Sequence, residues 1–222
     1  MNPAELFAVQ GFTLAIVALT AFLFYKLLMR YMQTPAPPAF FLMLYFLFFS
    51  ADYFVTFLLR FPDETNSIVL SYPFIAILSF IIGRSRPFFG AMFGVFTLAP
   101  KRWRGFALLP ISLVVLATAL VIIYPPSFRE AGIGEWVIGE GATLSVFISI
   151  AMALIAPLCV LAYSIVTKDK RQRIKGLIIS ASFFALVFLV DFQEPLGAVF
   201  SLPVRRALVF FSMILLYAGF TL

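Results

Sequence analysis

The sequence predicts an all-α integral membrane protein: a seven-transmembrane helix bundle, N-terminus outside and C-terminus cytoplasmic, plus one short interfacial or re-entrant helix. Three observations predict it. With 63% hydrophobic and only 12% charged residues, a chain of 222 residues carries more apolar surface than a soluble domain of that length can bury. Apolar runs long enough to cross a bilayer recur along it. The cations gather at the ends of those runs, most densely in Lys168, Lys170, Arg171, Arg173 and Lys175, five cations with the single acid Asp169 in eight residues. Such a turn cannot sit in hydrocarbon, so it lies in water while the runs on either side cross the membrane.

The chain reads as one domain, 1–222, with spans at about 6–25, 39–59, 67–83, 106–124, 141–167, 176–192 and 204–222. Glu5 precedes the first run, and Lys26 and Arg30 follow it, the reverse of a secretory signal peptide. A retained first span therefore runs from outside to inside. Pro35, Pro37 and Pro38 make a stiff cytoplasmic turn before the second span, which ends at Arg60 and the acids Asp63 and Glu64.

The third span contains Pro73 and is followed by Arg84 and Arg86. Residues 87–99 then form an apolar stretch that reaches only ~20 Å at ~1.5 Å per residue, against a hydrocarbon core of ~30 Å. It reads as a non-spanning helix held at the cytoplasmic face by Lys101, Arg102 and Arg104, with Trp103 at headgroup depth, or as a continuation of the third span along the surface. Gly90 and Gly94 form a GxxxG pair suited to close helix contact. The fourth span, kinked near Pro110, stops at Pro125 and Pro126. The loop to Glu140 carries Glu130, Glu135 and Trp136 and suits an outer surface. The basic turn joins spans five and six, and the outer turn from Asp191 leads to Arg205, Arg206 and the last span. In this topology only Arg60, Arg129, Arg205 and Arg206 lie outside among the cations, and Asp169 is the one cytoplasmic acid.

Absences exclude several classes. Without histidine, haem b, His-ligated zinc or copper, and Ser-His or Cys-His catalysis are removed, so no metal or cofactor is expected. Cys159, the single cysteine, reads as a buried inert thiol. The net charge of +6 is explained by helix anchoring at headgroups and gives no reason to expect nucleic acid. An aspartate dyad of Asp52 and Asp191 lacks the glycine that precedes the aspartate in intramembrane proteases, and a retinal Schiff base lacks a mid-helix lysine. No enzyme is expected.

Asp52 is the residue inside the membrane that asks for a function. It lies roughly 12 Å from the outer end of the second span at ~1.5 Å per residue, where an ionised carboxylate costs about 2.5 kcal/mol or more. Tyr45, Thr56 and Arg60 share its helical face, while Asp191, Arg205 and Arg206 reach the same level from other spans. Two readings follow: an outward-facing ligand or proton site made by Asp52, Tyr45, Thr56, Arg60, Asp191 and Arg206, or a structural network joining helices. The phenylalanines of the second span, Phe40, Phe41, Phe46, Phe48, Phe49 and Phe54, line an apolar-ligand site or face lipid and neighbouring helices. Gly176, Ser180, Ala181 and Ala185 give the sixth span a small-residue face for close packing.

The stretch from Tyr163 through Lys168, Asp169, Lys170, Arg171, Gln172, Arg173, Ile174 and Lys175 to Ser180, followed by a small-residue helix, resembles the connection between helices five and six in the seven-transmembrane sensor modules of some archaeal and bacterial membrane histidine kinases. The ending Leu215 to Leu222 is similar to the exit of their last helix. The resemblance implies a sensor whose helices pass a signal to a cytoplasmic output, here through a separate partner on the basic face or a continuation of the chain. The alternatives are a non-catalytic accessory subunit of a larger membrane complex and a small transporter or channel. The expected partners are the lipid bilayer of the cell membrane and other membrane or cytoplasmic subunits, or a second copy of the chain.

Overall fold

The computed structural model describes residues 3–59, 73–98, 105–124, 129–132, 135–137, 140–192 and 200–221. It consists of seven long helices: α1 Pro3–Gln33, α2 Pro37–Leu59, α3 Pro73–Leu98, α4 Leu108–Ile123, α5 Glu140–Val166, α6 Lys170–Leu186 and α7 Leu202–Thr221. A π-helical turn, Val187–Asp191, prolongs α6. Six of the helices, all but α3, are long and apolar enough to cross a membrane. Between α4 and α5 a small ribbon forms, β1 Arg129–Gly132 antiparallel to β2 Glu135–Val137, with Glu130 opposite Trp136. The aromatic and β-branched residues around Trp136 make this loop a hairpin rather than featureless coil.

Six helices close a ring in the order α1, α2, α3, α5, α6, α7 and back to α1, and α4 packs outside it on α3 and α5. Cross-helix contacts give the directions. Ser50 on α2 donates to the Val17 carbonyl of α1, and Tyr31 meets Phe40, so α1 and α2 are antiparallel. Phe41 stacks on Phe96 and Phe48 lies against Phe89, which makes α3 antiparallel to α2. Phe12 meets Phe210 and Phe22 meets Tyr217, so α1 and α7 run the same way.

The segment that the sequence splits into a third span at 67–83 and a non-spanning helix at 87–99 is one helix, Pro73–Leu98, with Pro87 inside it. At ~1.5 Å per residue it is about 39 Å long, ample for a bilayer. The arginines were the reason to expect a break, and they do not end the helix because Arg86 is buried against acids from two neighbours. Pro87 removes one backbone donor, an interruption that a helix tolerates when surrounding helices supply the missing contacts. Lys101, Arg102, Trp103 and Arg104, expected to anchor the end of that segment, lie outside the described residues.

Two kinds of contact hold the ring. Small residues admit neighbouring backbones: a Cβ on Gly94 would stand 2.9 Å from the Ala156 Cα of α5, one on Gly176 would overlap the Ser164 hydroxyl, and one on Gly219 would stand 2.8 Å from Ile179 of α6. In lipid, where apolar surface gains little by leaving its solvent, such close approach is the main source of helix association. Aromatic rings fill the interior, with Phe46, Phe49 and Phe183 fully buried and Tyr45 set edge-on to Phe46 and Phe183. Phe40 and Phe54 face outward, so the phenylalanines of α2 divide between core and lipid side. Cys159 is half-buried, its Cβ close to Gly94, rather than fully enclosed.

Hydroxyls in the helices are satisfied locally. Thr13, Thr20, Thr97, Ser149, Ser164 and Ser212 each donate to the carbonyl four residues earlier. Ser180 joins helices as Ser50 does, donating across to the Pro157 carbonyl of α5 at 2.9 Å. Gly94→Val should destabilise the bundle by about 1–3 kcal/mol through overpacking against Ala156. Gly11→Ala, with open space at its Cβ, should change stability by less than about 0.5 kcal/mol. Unfolding titrations of both variants in mixed micelles check the contrast, and equal effects would contradict it.

Candidate functional site

A charged cluster lies inside the ring. Arg86, midway along α3, is 3% exposed. Its Nη1 donates to Asp52 Oδ2 of α2 at 3.3 Å, and its Nη2 to Asp191 Oδ1 at the end of α6 at 2.5 Å. Three helices are thereby joined by one guanidinium. Its planar fork of donors can serve two carboxylates at once, which a lysine ammonium does less well. The two acids differ in access: Asp191 is 5% exposed, whereas the Asp52 side chain keeps 19% of its surface.

Local sequence prepares each partner. Gly83 lies one turn before Arg86, and a Cβ there would stand 3.2 Å from Asp52 Oδ1, so the absence of a side chain leaves room for the carboxylate. Pro87, directly after the arginine, interrupts the helix at the level where its side chain turns inward. On α6 the π turn carries the acid, closed by Phe192 N–H donating to the Val187 carbonyl at 3.1 Å. Val187, Leu189 and Asp191 are all buried there. Alternate residues of a regular helix point about 200° apart, and all three are covered because this turn packs on both α5 and α7. Such widened turns recur at functional positions.

Aromatic rings carry the guanidinium planes. Arg86 Cζ lies 4.8 Å from the Phe49 ring centroid, Phe49 stacks on Tyr53 with centroids 4.9 Å apart, and Arg206 Cζ of α7 lies 4.4 Å from the Tyr53 ring. Each ring of the stacked pair thus holds one cation. Desolvated cation–π contacts of this kind contribute about 2 kcal/mol.

Of the six residues that the sequence proposes for this site, Asp52 and Asp191 meet at Arg86, and Arg206 is linked to them through the stack of Tyr53 on Phe49. Tyr45 packs among Phe46, Phe49 and Phe183 within electrostatic range of Arg86 and Asp191. The Thr56 side chain and Arg60 lie outside the described residues. Sequence reasoning misses Arg86, Tyr53 and Phe49. The available signal for Arg86 was the need of two intramembrane acids for a countercharge; its place beside Pro87 concealed it as a helix end. Among the described residues no cluster of His, Cys, Asp or Glu could hold a metal ion.

At the far end of α6 the basic turn is exposed, with Lys168, Lys170, Arg171 and Arg173 open and Lys175 half-buried. Asp169 is the N-cap of α6, its Oδ1 accepting from Arg171 N–H at 2.9 Å. The acid that looked anomalous in a basic run therefore starts a helix. No family model, no curated protein and no solved structure matches the chain.

Removing one member of a buried ion pair leaves the other charge uncompensated, at a cost of about 3–5 kcal/mol. Arg86→Met, which strands two carboxylates, should therefore destabilise more than Asp191→Asn. Asp191→Asn should in turn exceed Asp52→Asn, because Asp52 keeps solvent-accessible surface. Unfolding free energies of the three variants in one micelle system test the order; a near-zero effect of Arg86→Met would show that the cluster does not hold the helices.

Proposed function

We propose that the chain is a receptor-type seven-helix module of the cell membrane, with its N-terminus outside, its C-terminus cytoplasmic and α3 as the seventh span. It relays a change at the outer charged cluster to a cytoplasmic protein that docks on the basic turn. One observation carries this reading: α6 ends in Asp191, paired with Arg86, and begins in the exposed turn Lys168–Lys175. A change in how Arg86 divides itself between Asp52 and Asp191 is thus applied to the end of a helix whose other end presents five cations.

Several features support the reading. α6 packs on α5 and α7 through Gly176 and Gly219, flat contacts along which helices can shift by ~1–2 Å. The ends of α1 and α5 that carry Lys26, Arg30 and Lys168 lie on the same side of the bundle, the side that positive charge assigns to the cytoplasm. The resemblance of the Tyr163–Ser180 stretch to histidine-kinase sensor modules points the same way. The accessory-subunit reading draws on α4, which sits outside the ring with Leu109, Val115, Leu116, Ile122 and Ile123 exposed to lipid or another chain.

The test places spin labels at Gln33 and Gln172, both exposed at the basic end, in a Cys159→Ser background. Asp52→Asn and Asp191→Asn should each move the distance between labels by roughly 1–2 Å or more, the scale of helix shifts in switching proteins. An unchanged distribution in both variants would refute the relay. Recovery of the wild-type chain only with larger subunits on gentle extraction would favour the accessory reading.

A further inference from the structure

Arg206 is held differently from Arg86. Among the described residues Arg86 pairs with both Asp52 and Asp191. Arg206 is 7% exposed, has its Cζ 4.4 Å from the Tyr53 ring centroid, and among the described residues its Nε is buried without a hydrogen-bond partner. A guanidinium cannot lose its charge in a protein, and a buried one whose Nε–H finds no acceptor carries the full cost of that donor's desolvation. The ring beneath Arg206 is fixed in turn, because Tyr53 is buried and stacked on Phe49.

We propose that Arg206 is the cation of an oxyanion site, taking a phosphate or carboxylate group at the start of α7. The chemistry follows from the group itself: a planar fork of N–H donors in low dielectric matches two oxygens of a phosphate or carboxylate, and Tyr53 holds the plane in place. Position favours it too, since Arg206 is in the second turn of α7, near the helix end that the receptor reading places outside. The same oxyanion can come from a lipid headgroup or from free solute. The inference deepens the receptor reading, on which it rests for the outer location of the site, by naming the chemical class received.

The test is thermal melting of the intact chain in dodecyl maltoside micelles, which contain neither phosphate nor carboxylate, at constant ionic strength. Sodium phosphate, sodium acetate and short-chain phosphatidylglycerol are added in separate titrations against sodium chloride. At a hundredfold excess over Kd, binding should raise the wild-type melting temperature by about 5 °C or more. The shift should vanish in Arg206→Gln and shrink in Arg206→Lys, which keeps the charge and loses the fork. A response to phosphate or acetate identifies a free solute, and a response to phosphatidylglycerol alone identifies a lipid headgroup. No shift with any of the three, or an undiminished shift in Arg206→Gln, overturns the proposal. If the Gln variant does not fold, an undiminished shift in Arg206→Lys overturns it equally. The label-distance experiment uses no added anion, so failure of this site and failure of the relay are told apart.

Discussion

A guanidinium midway along a helix in a lipid-solvated bundle imposes conditions on every element that touches it. Left alone at that depth, Arg86 would cost about 2.5–3.5 kcal/mol even on the milder insertion scales. The bundle meets the condition by bringing two carboxylates to it from helices distant in sequence, Asp52 of α2 and Asp191 at the end of α6. The closure of the ring follows from this constraint as much as from apolar packing. α2, α3 and α6 must converge at one level, Gly83 must be small where Asp52 approaches, and α6 must widen into a π turn where its acid faces inward. Without Arg86 the acids would repel, and without the acids α3 would be a poor membrane helix.

Around that centre the packing uses what lipid leaves available. Water expels apolar side chains into a core, but hydrocarbon does not, so the helices associate through fit. Glycines at 94, 176 and 219 let backbones approach on three successive faces of the ring. Phe46, Phe49, Phe183 and their neighbours fill the remaining interior with rings whose edges and faces attract one another. The aromatic load of the chain is thus divided by position: rings toward the ring axis fix the core and support the guanidiniums, and rings such as Phe54 face outward.

Much of the helical architecture was legible in the sequence because bilayer thickness and apolar run length are directly comparable quantities. Six apolar helices and the exposed turn at Lys168–Lys175 follow from that comparison, whereas Pro110, expected to kink the fourth span, stands in the first turn of α4, where proline is tolerated. The reading failed where charge met the span rule. Arg84, Arg86 and Pro87 in succession look like an exit from the membrane, and only tertiary partners reverse that meaning. The site was half legible for the same reason. A buried acid announces itself by its cost, which is why Asp52 stood out, whereas Asp191 read as the start of an outer turn and is buried at the end of α6. Helical periodicity picked out Tyr45 but passed over Tyr53 beside Asp52, because it sees one helix at a time, and Tyr53 is placed by its stack on Phe49 and its contact with Arg206 from α7. The ribbon at Arg129–Val137 was missed because seven strong apolar segments leave a loop of mixed residues unread.

The asymmetry of the charged cluster is its most informative property. Two cations and two anions belong to the cluster and its aromatic stack, and electrostatics alone would favour two separate pairs, each acid with its own arginine. Instead both acids converge on Arg86, and Arg206 rests on an aromatic face. A purely structural network has little reason to concentrate its pairing in this way, since a second pair would tie α7 to the ring as firmly as α2, α3 and α6 are tied to each other. The arrangement leaves α7 attached through rings and small residues, and it leaves one cation with donors to offer. Charge thus ties α2, α3 and α6 to one another at Arg86, while the contact of Arg206 with Tyr53 ties α7 to α2, so the four helices meet through two different kinds of interaction.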